Sequence, residues 1–559
     1  MGAFQLQSEV VVKPKHPYGA VAVWCAVLVG FATSLCAQQV PTPTHIGAPQ
    51  DWSDRHIVFS RGALAQRPSL IYQEPRIYHQ AMQRWRDPNS TGSDGTSLDH
   101  PVADKSGQHR DWNATLGSGR LNPNMFPAKY SFNPDATPSC TGDYVVFGLA
   151  SSSAADANLV AFNNLYVNGF GTGLCPGTTP TVLFAYNITT VFGGKIVTSP
   201  ILSEDGTKVA FVESVGSSAA IFHVLTWTAN QGTITSPAPP SAMTSLTFSP
   251  AAGSSTSSPW IDYNSDTVYV GANSGDIYQI TGVFNGTPTL SGLPWPVSVN
   301  EPSYHLTSPV LDASLGVLMV GSANGNLYQI NTATGTLGSQ LAVGVVGETT
   351  PGIIGAPIVD VTNGTTFVVT ANDGTSAALV EVDTSTVIAH STGEIGEGST
   401  GSTPITLYEP AFSNSYYNDP SSGVITVCGT GTTDTTPWQY SFGFTGVRMS
   451  EAASQSQQLS TSTTDRCTAG WTEFYNPDIN SGVDFFFFGL SGDCTLLGTS
   501  GSTTGCVVAL SSDPTIPTTS ATVTGGTSGI IVDNYSMANI YFAGRSVNTA
   551  YQFTQDGLH

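Results

Sequence analysis

One short segment places carboxylates and an amide at the spacing that opens a calcium-binding loop. Asp262, Asn264 and Asp266 follow the pattern Asp-x-Asn-x-Asp, and oxygen ligands at alternate positions suit Ca²⁺. The sixth position is Thr267, where a calcium loop has glycine, and no glutamate stands at the twelfth. The segment therefore favours a β-turn between two strands, with calcium as the less favoured alternative.

Histidines are the next candidates for metal ligands, and residues 38–135 hold five of the ten. They are His45, His56, His79, His100 and His109. No HxH or HExxH spacing occurs among them, and no carboxylate accompanies them at a fixed helical offset. The sequence therefore assigns no metal ligands.

The same region interleaves arginines with aromatic side chains. The set consists of Arg55, Arg61, Arg67, Arg76, Arg84, Arg86, Trp52, Tyr72, Tyr78 and Trp85. Such residues can form a glycan or anion site. We favour the alternative that this basic segment lies on an acidic body and offsets its charge.

Motifs for other chemistry are missing from the sequence. It contains no GxSxG nucleophile elbow, no CxxCH haem site and no phosphate-binding loop ending in GK[ST]. We therefore assign no catalytic, cofactor-binding or metal-binding residue and predict no cofactor.

The first 37 residues have the features of a secretory signal peptide. Lys13 and Lys15 precede an apolar run over 20–32, and small residues follow. A membrane anchor is the alternative, but the run is short for a spanning helix of about 20 residues. Lipidation at Cys36 is disfavoured because Leu35 precedes it, whereas a small residue usually stands just before a lipidated cysteine. We predict a secreted or otherwise extracytoplasmic protein without a stable membrane span after cleavage.

Charge is distributed unevenly along the chain. Residues 1–135 hold 12 of the 17 Lys and Arg but only 10 of the 39 acidic residues, so residues 136–559 carry a net charge of −24. A body this acidic repels nucleic-acid phosphates and anionic membranes. Nucleic acid is therefore excluded as a partner.

Internal repetition predicts the fold. Runs at 258–262, 267–271 and 275–280 recur, in the same order and about fifty residues later, at 308–312, 317–321 and 325–330. Ser-Pro opens each unit, an apolar run ending in Gly follows, and a Gly turn leads to Tyr-Gln-Ile. Weaker copies bring the number of anchors to eight, 47 to 65 residues apart. Four-stranded units of about 40–50 residues are propeller blades.

We therefore predict an all-β chain that forms a β-propeller of seven or eight blades, with eight favoured. An array of β-sandwiches is the runner-up. The expected organisation is a signal peptide at 1–37, an irregular basic and aromatic extension at 38–135, and the propeller at 136–559. N-terminal and C-terminal strands should share one blade, because closing the ring removes exposed edges.

The blade motif, Asp-Thr-Val-Tyr-Val-Gly at 266–271 followed by Ser-Gly-Asp-Ile-Tyr-Gln-Ile at 274–280, resembles the repeat of the quinoprotein-like (PQQ-type) β-propeller superfamily. The resemblance covers about residues 136–555 and implies the propeller fold. Dehydrogenases of that superfamily carry a Trp-docking motif and a pair of adjacent cysteines. The nearest match here, 331–335, has no following Trp, and no two cysteines are adjacent. The resemblance is therefore to a diverged member that does not act as a dehydrogenase.

Six cysteines remain after the leader, an even number that predicts disulfides in an exported protein. Cys494 and Cys506 flank a Gly/Ser/Thr-rich turn and should form a hairpin bridge. Cys140 should pair with Cys175 within the first blade, which leaves Cys428 for Cys467.

The sequence predicts the function of this protein in less detail than its fold. We expect a binding or scaffold protein outside the cytoplasm, with an extracellular protein or glycan as partner. The partner surface should be the face on which residues 45–125 pack. The alternative is an extracytoplasmic enzyme on a propeller, either a diverged quinoprotein dehydrogenase or a carbohydrate-active hydrolase or lyase. Fold alone does not choose between them.

Overall fold

Short β-strands account for most of the secondary structure. The computed structural model describes residues 47–60, 74–77, 79–80, 108–132, 138–169, 171, 173–216, 218–249, 253–302, 304–345, 352–476, 482–497, 503–533 and 539–555. Within these ranges, α-helix is limited to 75–77, 79–80 and Asn414–Asn418, and 3-10 turns to Trp52–Arg55, Pro420–Ser422 and Thr495–Leu497. The expected all-β composition is confirmed.

Eight sheets follow one another along the chain as eight propeller blades, with strands numbered in chain order. Blade 1 contains β1 (Ala48–Gln50), β4 (Ala128–Ser131), β5 (Tyr144–Gly148), β6 (Leu159–Asn163) and β7 (Thr181–Tyr186). Blade 2 contains β8 (Lys195–Ile196), β9 (Ile201–Leu202), β10 (Lys208–Val215), β11 (Ala219–Thr226) and β12 (Met243–Ser249). Blade 3 contains β13 (Trp260–Asp262), β14 (Thr267–Gly271), β15 (Asp276–Thr281), β16 (Thr289–Leu290) and β17 (Val297–Ser298). Blade 4 contains β18 (Val310–Asp312), β19 (Val317–Gly321), β20 (Asn326–Asn331) and β21 (Thr336–Ala342).

The second half of the ring repeats the plan. Blade 5 contains β2 (Ile57–Val58), β22 (Ile358–Asp360), β23 (Thr365–Thr370), β24 (Ser376–Asp383) and β25 (Ala389–Glu397). Blade 6 contains β26 (Ala411–Phe412), β27 (Val424–Thr430), β28 (Pro437–Thr445), β29 (Arg448–Met449) and β30 (Gln455–Gln458). Blade 7 contains β31 (Thr472–Asn476), β32 (Val483–Leu490), β33 (Cys506–Ser511) and β34 (Thr519–Thr522). Blade 8 contains β35 (Ile531–Asp533), β36 (Asn539–Ala543), β37 (Thr549–Gln555) and β3 (Gln108–Thr115).

The ring closes in blade 8, where an N-terminal strand pairs with the C-terminal one. β3 runs antiparallel to β37, with Gln108 opposite Gln555 and Thr115 opposite Thr549. The expected closure is confirmed, but the ring takes strands from before residue 136, because β3 and β4 both belong to blades. β3 has a weak strand pattern, since it is an outermost strand and carries a bulge between Arg110 and Trp112.

The repeated motif has a packing reason. The Asp that ends an inner strand accepts hydrogen bonds from the following turn, as Asp312 Oδ1 does from the N–H groups of Ser314 at 2.9 Å and Leu315 at 3.1 Å. The Gly that ends the second strand lies against the next stretch of chain. A Cβ on Gly321 would be 2.5 Å from Cγ2 of Ile353, so only glycine lets the two segments pack this closely.

Three disulfides join the cysteines that the sequence pairs: Cys140 with Cys175, Cys428 with Cys467, and Cys494 with Cys506. The bridge from Cys428 to Cys467 joins β27 to the connection between blades 6 and 7. The other two bridges each lie within one blade.

Candidate functional site: the axial channel and the upper face

The chain's own N-terminal segment crosses the axis of the ring. β1 pairs antiparallel with β4, the innermost complete strand of blade 1. β2 starts seven residues after β1 ends and pairs in parallel with β22 of blade 5. Blades 1 and 5 are opposite each other in an eight-bladed ring, so residues 47–60, here called the channel segment, must pass through the channel.

Contacts with other blades hold the channel segment in place. Trp52 donates its indole N–H to the carbonyl of Pro259 at 3.1 Å, and its ring packs edge-on against Trp260 of blade 3. Gln50 donates to the carbonyl of Val532 in blade 8 at 3.1 Å. The inner strands therefore face protein where they would otherwise face an open channel.

A buried carboxylate anchors the middle of the channel segment. Glu409 Oε1 accepts hydrogen bonds from Nδ2 of Asn124 and from the N–H of Ala356, both at 2.8 Å, and lies 3.3 Å from Nε2 of His56. Burial by itself would raise the pKa of Glu409. The hydrogen bond and charge of His56, together with the charge of Arg55, outweigh burial and lower this pKa to about 2.

Arg55, next to His56 in the channel segment, donates hydrogen bonds to backbone carbonyls. Its Nη2 donates to the carbonyls of Pro410 and Trp471. Burial lowers the pKa of Arg55 to about 10, although the charge of Glu409 opposes the shift. A cavity of about 80 Å³ lies beside this arginine, with room for a few water molecules.

A second arginine fixes the short helical turn at 75–77 to the ring. Arg76 is 1% exposed, and its Nη1 lies 3.0 Å from both carboxylate oxygens of Glu74. Its Nη2 donates to the carbonyl of Ile261 at 3.0 Å, and the guanidinium lies 4.3 Å from the centre of the Trp260 ring. A planar cation that forms ion pairs and stacks in this way ties the segment to blade 3.

The described members of the arginine and aromatic set therefore lie inside the ring. Trp52, Arg55 and Arg76 are in or against the channel, so they do not form an exposed partner surface as the sequence predicted. The physical reason is that their carbonyl and carboxylate partners lie on inner strands and on the segment itself. Outside the described residues, or with side chains outside them, are Arg61, Arg67, Tyr72, Tyr78, Arg84, Trp85, Arg86, His45, His100 and His109.

The two described candidate histidines each face a carboxylate. His56 faces Glu409, and Nδ1 of His79 lies 3.5 Å from Asp54. The described ranges contain no group of three or more side chains that could hold a metal ion.

The calcium-like segment forms the expected turn between β13 and β14. Asp262 accepts hydrogen bonds from the N–H of Asn264 at 3.1 Å and the hydroxyl of Ser265 at 2.6 Å. Asp266 accepts from the N–H groups of Phe284 and Asn285. Both carboxylates are thus engaged by neighbouring protein donors.

A hydrophobic side chain projects from one face of the ring. We call this the upper face, the side with the loops that join the outermost strand of one blade to the innermost strand of the next. The loop at 187–194 joins blades 1 and 2 there. Phe192, near its tip, is 99% exposed, and neighbouring Val191 is 44% exposed.

The backbone of this loop is held by a buried carboxylate of blade 2. Glu213 accepts hydrogen bonds from the N–H of Thr190 at 3.0 Å, the hydroxyl of Thr190 at 2.5 Å and the N–H of Val191 at 3.4 Å. A Cβ on Gly194 would lie 1.8 Å from Oε1 of Glu213. The glycine therefore lets the loop close over the carboxylate.

His223 completes this cluster from the neighbouring strand. Its Nε2 lies 2.9 Å from Oε2 of Glu213, and neither side chain is exposed. Sequence motifs did not identify this pair. The signal that could have identified the pair is one titratable residue at a buried position in each of two successive apolar strands, Glu213 in β10 and His223 in β11. Such residues are seldom buried without a partner.

Comparisons with known proteins support the propeller fold, but they support no particular family or function. No protein-family model matches the chain, and no curated protein matches it. The Dos1 propeller structure has a TM-score of 0.50 at 11% identity, covering 80% of this chain and 96% of that one. BamB from Moraxella catarrhalis has a TM-score of 0.43 at 14% identity, covering 80% and 99%. Sqt1 from Saccharomyces cerevisiae has a TM-score of 0.45 at 10% identity, covering 80% and 99%.

The class that the fold defines is an eight-bladed β-propeller whose channel contains its own N-terminal segment. No helix in the described ranges is both long and apolar enough to cross a membrane.

Proposed function

We propose that this chain is an extracytoplasmic β-propeller that binds a protein partner through its upper face, without redox turnover. The observation that carries the proposal is the loop at 187–194. It presents a 99% exposed phenylalanine on a backbone held by the buried Glu213. Binding loses less conformational entropy when the contact residue is presented on a held backbone.

The filled channel supports the same proposal. The channel segment removes the axial opening, so recognition is left to the loops and outer edges of the blades. Loops on a rigid scaffold are where binding residues concentrate. Aromatic side chains are frequent anchors of protein interfaces, and Phe192 has the size and exposure of such an anchor.

The extracytoplasmic location is proposed from the leader-like pattern at 1–37, which lies outside the described residues, and from the three disulfides. Descent from the quinoprotein-like superfamily is likewise proposed, from the blade motif. The chain has neither the Trp-docking residue nor a pair of adjacent cysteines, and this supports a binding role over dehydrogenation.

A photocrosslinking experiment tests the proposed surface. A benzophenone amino acid replaces Phe192 in the exported protein, and a matched variant carries it at Leu293, which is 95% exposed on the outer edge of blade 3. We expect one discrete protein adduct from position 192 in the native envelope or medium and none from position 293. Equal adducts from both positions, or none from either, would contradict the proposal.

A further inference from the structure

Three side chains of blade 2 form a hydrogen-bonded line from the interior of the sheet to its outer strand. They are Glu213 on β10, His223 on β11 and Ser245 on β12. Oε2 of Glu213 lies 2.9 Å from Nε2 of His223, and Nδ1 of His223 lies 2.9 Å from Oγ of Ser245. Glu213 and His223 are fully buried, whereas Ser245 is exposed.

Strand pairing brings the serine to the imidazole. His223 and Ser245 are directly opposite in the antiparallel ladder of β11 and β12. The N–H of Thr226 donates to the carbonyl of Ala242, so the 223/245 pair falls at an alternate, non-hydrogen-bonded position, where opposing side chains are closest. By the same alternation, the N–H of Ser245 points away from β11, towards the open edge of the blade.

The carboxylate is fixed and ionised. Besides His223, it accepts hydrogen bonds from the hydroxyl and N–H of Thr190. Burial by itself would raise the pKa of Glu213, but the hydrogen bonds from His223 and Thr190 lower it below its ordinary value. A fixed carboxylate on one ring nitrogen orients an imidazole so that the other nitrogen can accept a proton.

We propose that Ser245 is a nucleophile, His223 its general base and Glu213 the residue that positions the base, which together form a hydrolytic site for small acyl esters on the edge of blade 2. This activity goes beyond the proposed binding function and uses a different surface residue. Small, activated esters fit because the serine lies on an exposed strand. The acyl carbonyl can approach from solvent, and the edge-facing N–H of Ser245 is available to its oxygen.

The reaction balances without a cofactor. Oγ of Ser245 attacks the ester carbonyl carbon, and the hydroxyl proton moves to Nδ1 of His223. The bond from carbonyl carbon to alkoxy oxygen breaks, and the leaving alcohol takes the proton from Nδ1. Water then attacks the acyl-serine with the same proton transfers, which releases the carboxylic acid and restores Ser245.

The test uses the full exported chain, a fluorophosphonate probe and p-nitrophenyl acetate. We expect covalent labelling that peptide mass spectrometry places on Ser245, and ester hydrolysis that falls at least about 100-fold in Ser245→Ala, as loss of a catalytic nucleophile should produce. Thr247→Ala, an exposed neighbour on the same face of β12, is the matched control and should keep both signals.

Substitutions at the two partners separate catalysis from an exposed hydroxyl. His223→Gln should abolish hydrolysis and labelling of Ser245, and Glu213→Gln should lower kcat with little change in KM while circular dichroism stays native. The proposal is overturned if Ser245 remains unlabelled, or if Ser245→Ala or His223→Gln hydrolyses the ester at the native rate. Crosslinking at Phe192 does not depend on these outcomes, so failure of the two proposals is distinguishable.

Discussion

Replacing Glu409 by Gln removes the charge that anchors the channel segment. The pKa of this carboxyl is about 2 in the folded chain and 4.5 ordinarily. Because one pH unit corresponds to roughly 1.4 kcal/mol, the ionised form contributes about 3 kcal/mol to folding at neutral pH. A depressed folded pKa means that this contribution is complete above pH 4.5 and is lost as the pH falls from 4.5 towards 2.

The assay is denaturant unfolding of the native chain and Glu409→Gln at several pH values, followed by tryptophan fluorescence. We expect Glu409→Gln to be about 3 kcal/mol less stable at pH 7 and the difference to shrink below pH 4.5. Glu394→Gln, at an exposed position, should change stability by less than about 0.5 kcal/mol. A Glu409→Gln variant as stable as the native chain at pH 7, or a difference that grows on acidification, would refute the role given to this carboxylate.

Three further outcomes follow from the same packing. Deleting residues 38–125 should prevent folding, because β3 closes blade 8 and the channel segment fills the axis; a soluble product with native circular dichroism would contradict this. Gly194→Ala should release the loop at 187–194, since the new methyl would overlap Glu213, and limited proteolysis should then cut near Phe192, where the native loop resists. Replacing Cys494 and Cys506 by Ser should cost roughly 2–4 kcal/mol, and an unchanged unfolding midpoint would count against that bridge.

Repeated residues determined the fold at the level of the sequence. An Asp ends the inner strand in blades 3, 4, 5 and 8, and a Gly ends the next strand in blades 1, 3 and 4, because these blades share the same turn and the same close packing. The repeat of about fifty residues favoured eight blades over seven, and closure by N-terminal and C-terminal strands was expected because a ring removes exposed edges. Spacing also paired Cys494 with Cys506 and Cys140 with Cys175, because cysteines within one repeat unit lie close in space. Cys428 and Cys467 were paired by elimination, and their bridge joins β27 to the connection between blades 6 and 7.

Tertiary structure decided where the remaining residues act. The sequence grouped Arg55, Arg76 and Trp52 as a surface set, but the channel segment places them in the interior. No spacing linked Glu213, His223 and Ser245, because they come from three strands whose register is fixed only when the blade forms.

The sequence by itself therefore determined the repeating unit of this protein, since local turns and alternating strands are encoded within about fifty residues. Only the closed ring decided the contacts of the channel segment, because contacts such as His56 with Glu409 join residues that are hundreds of positions apart and meet only when the N-terminal segment crosses the axis.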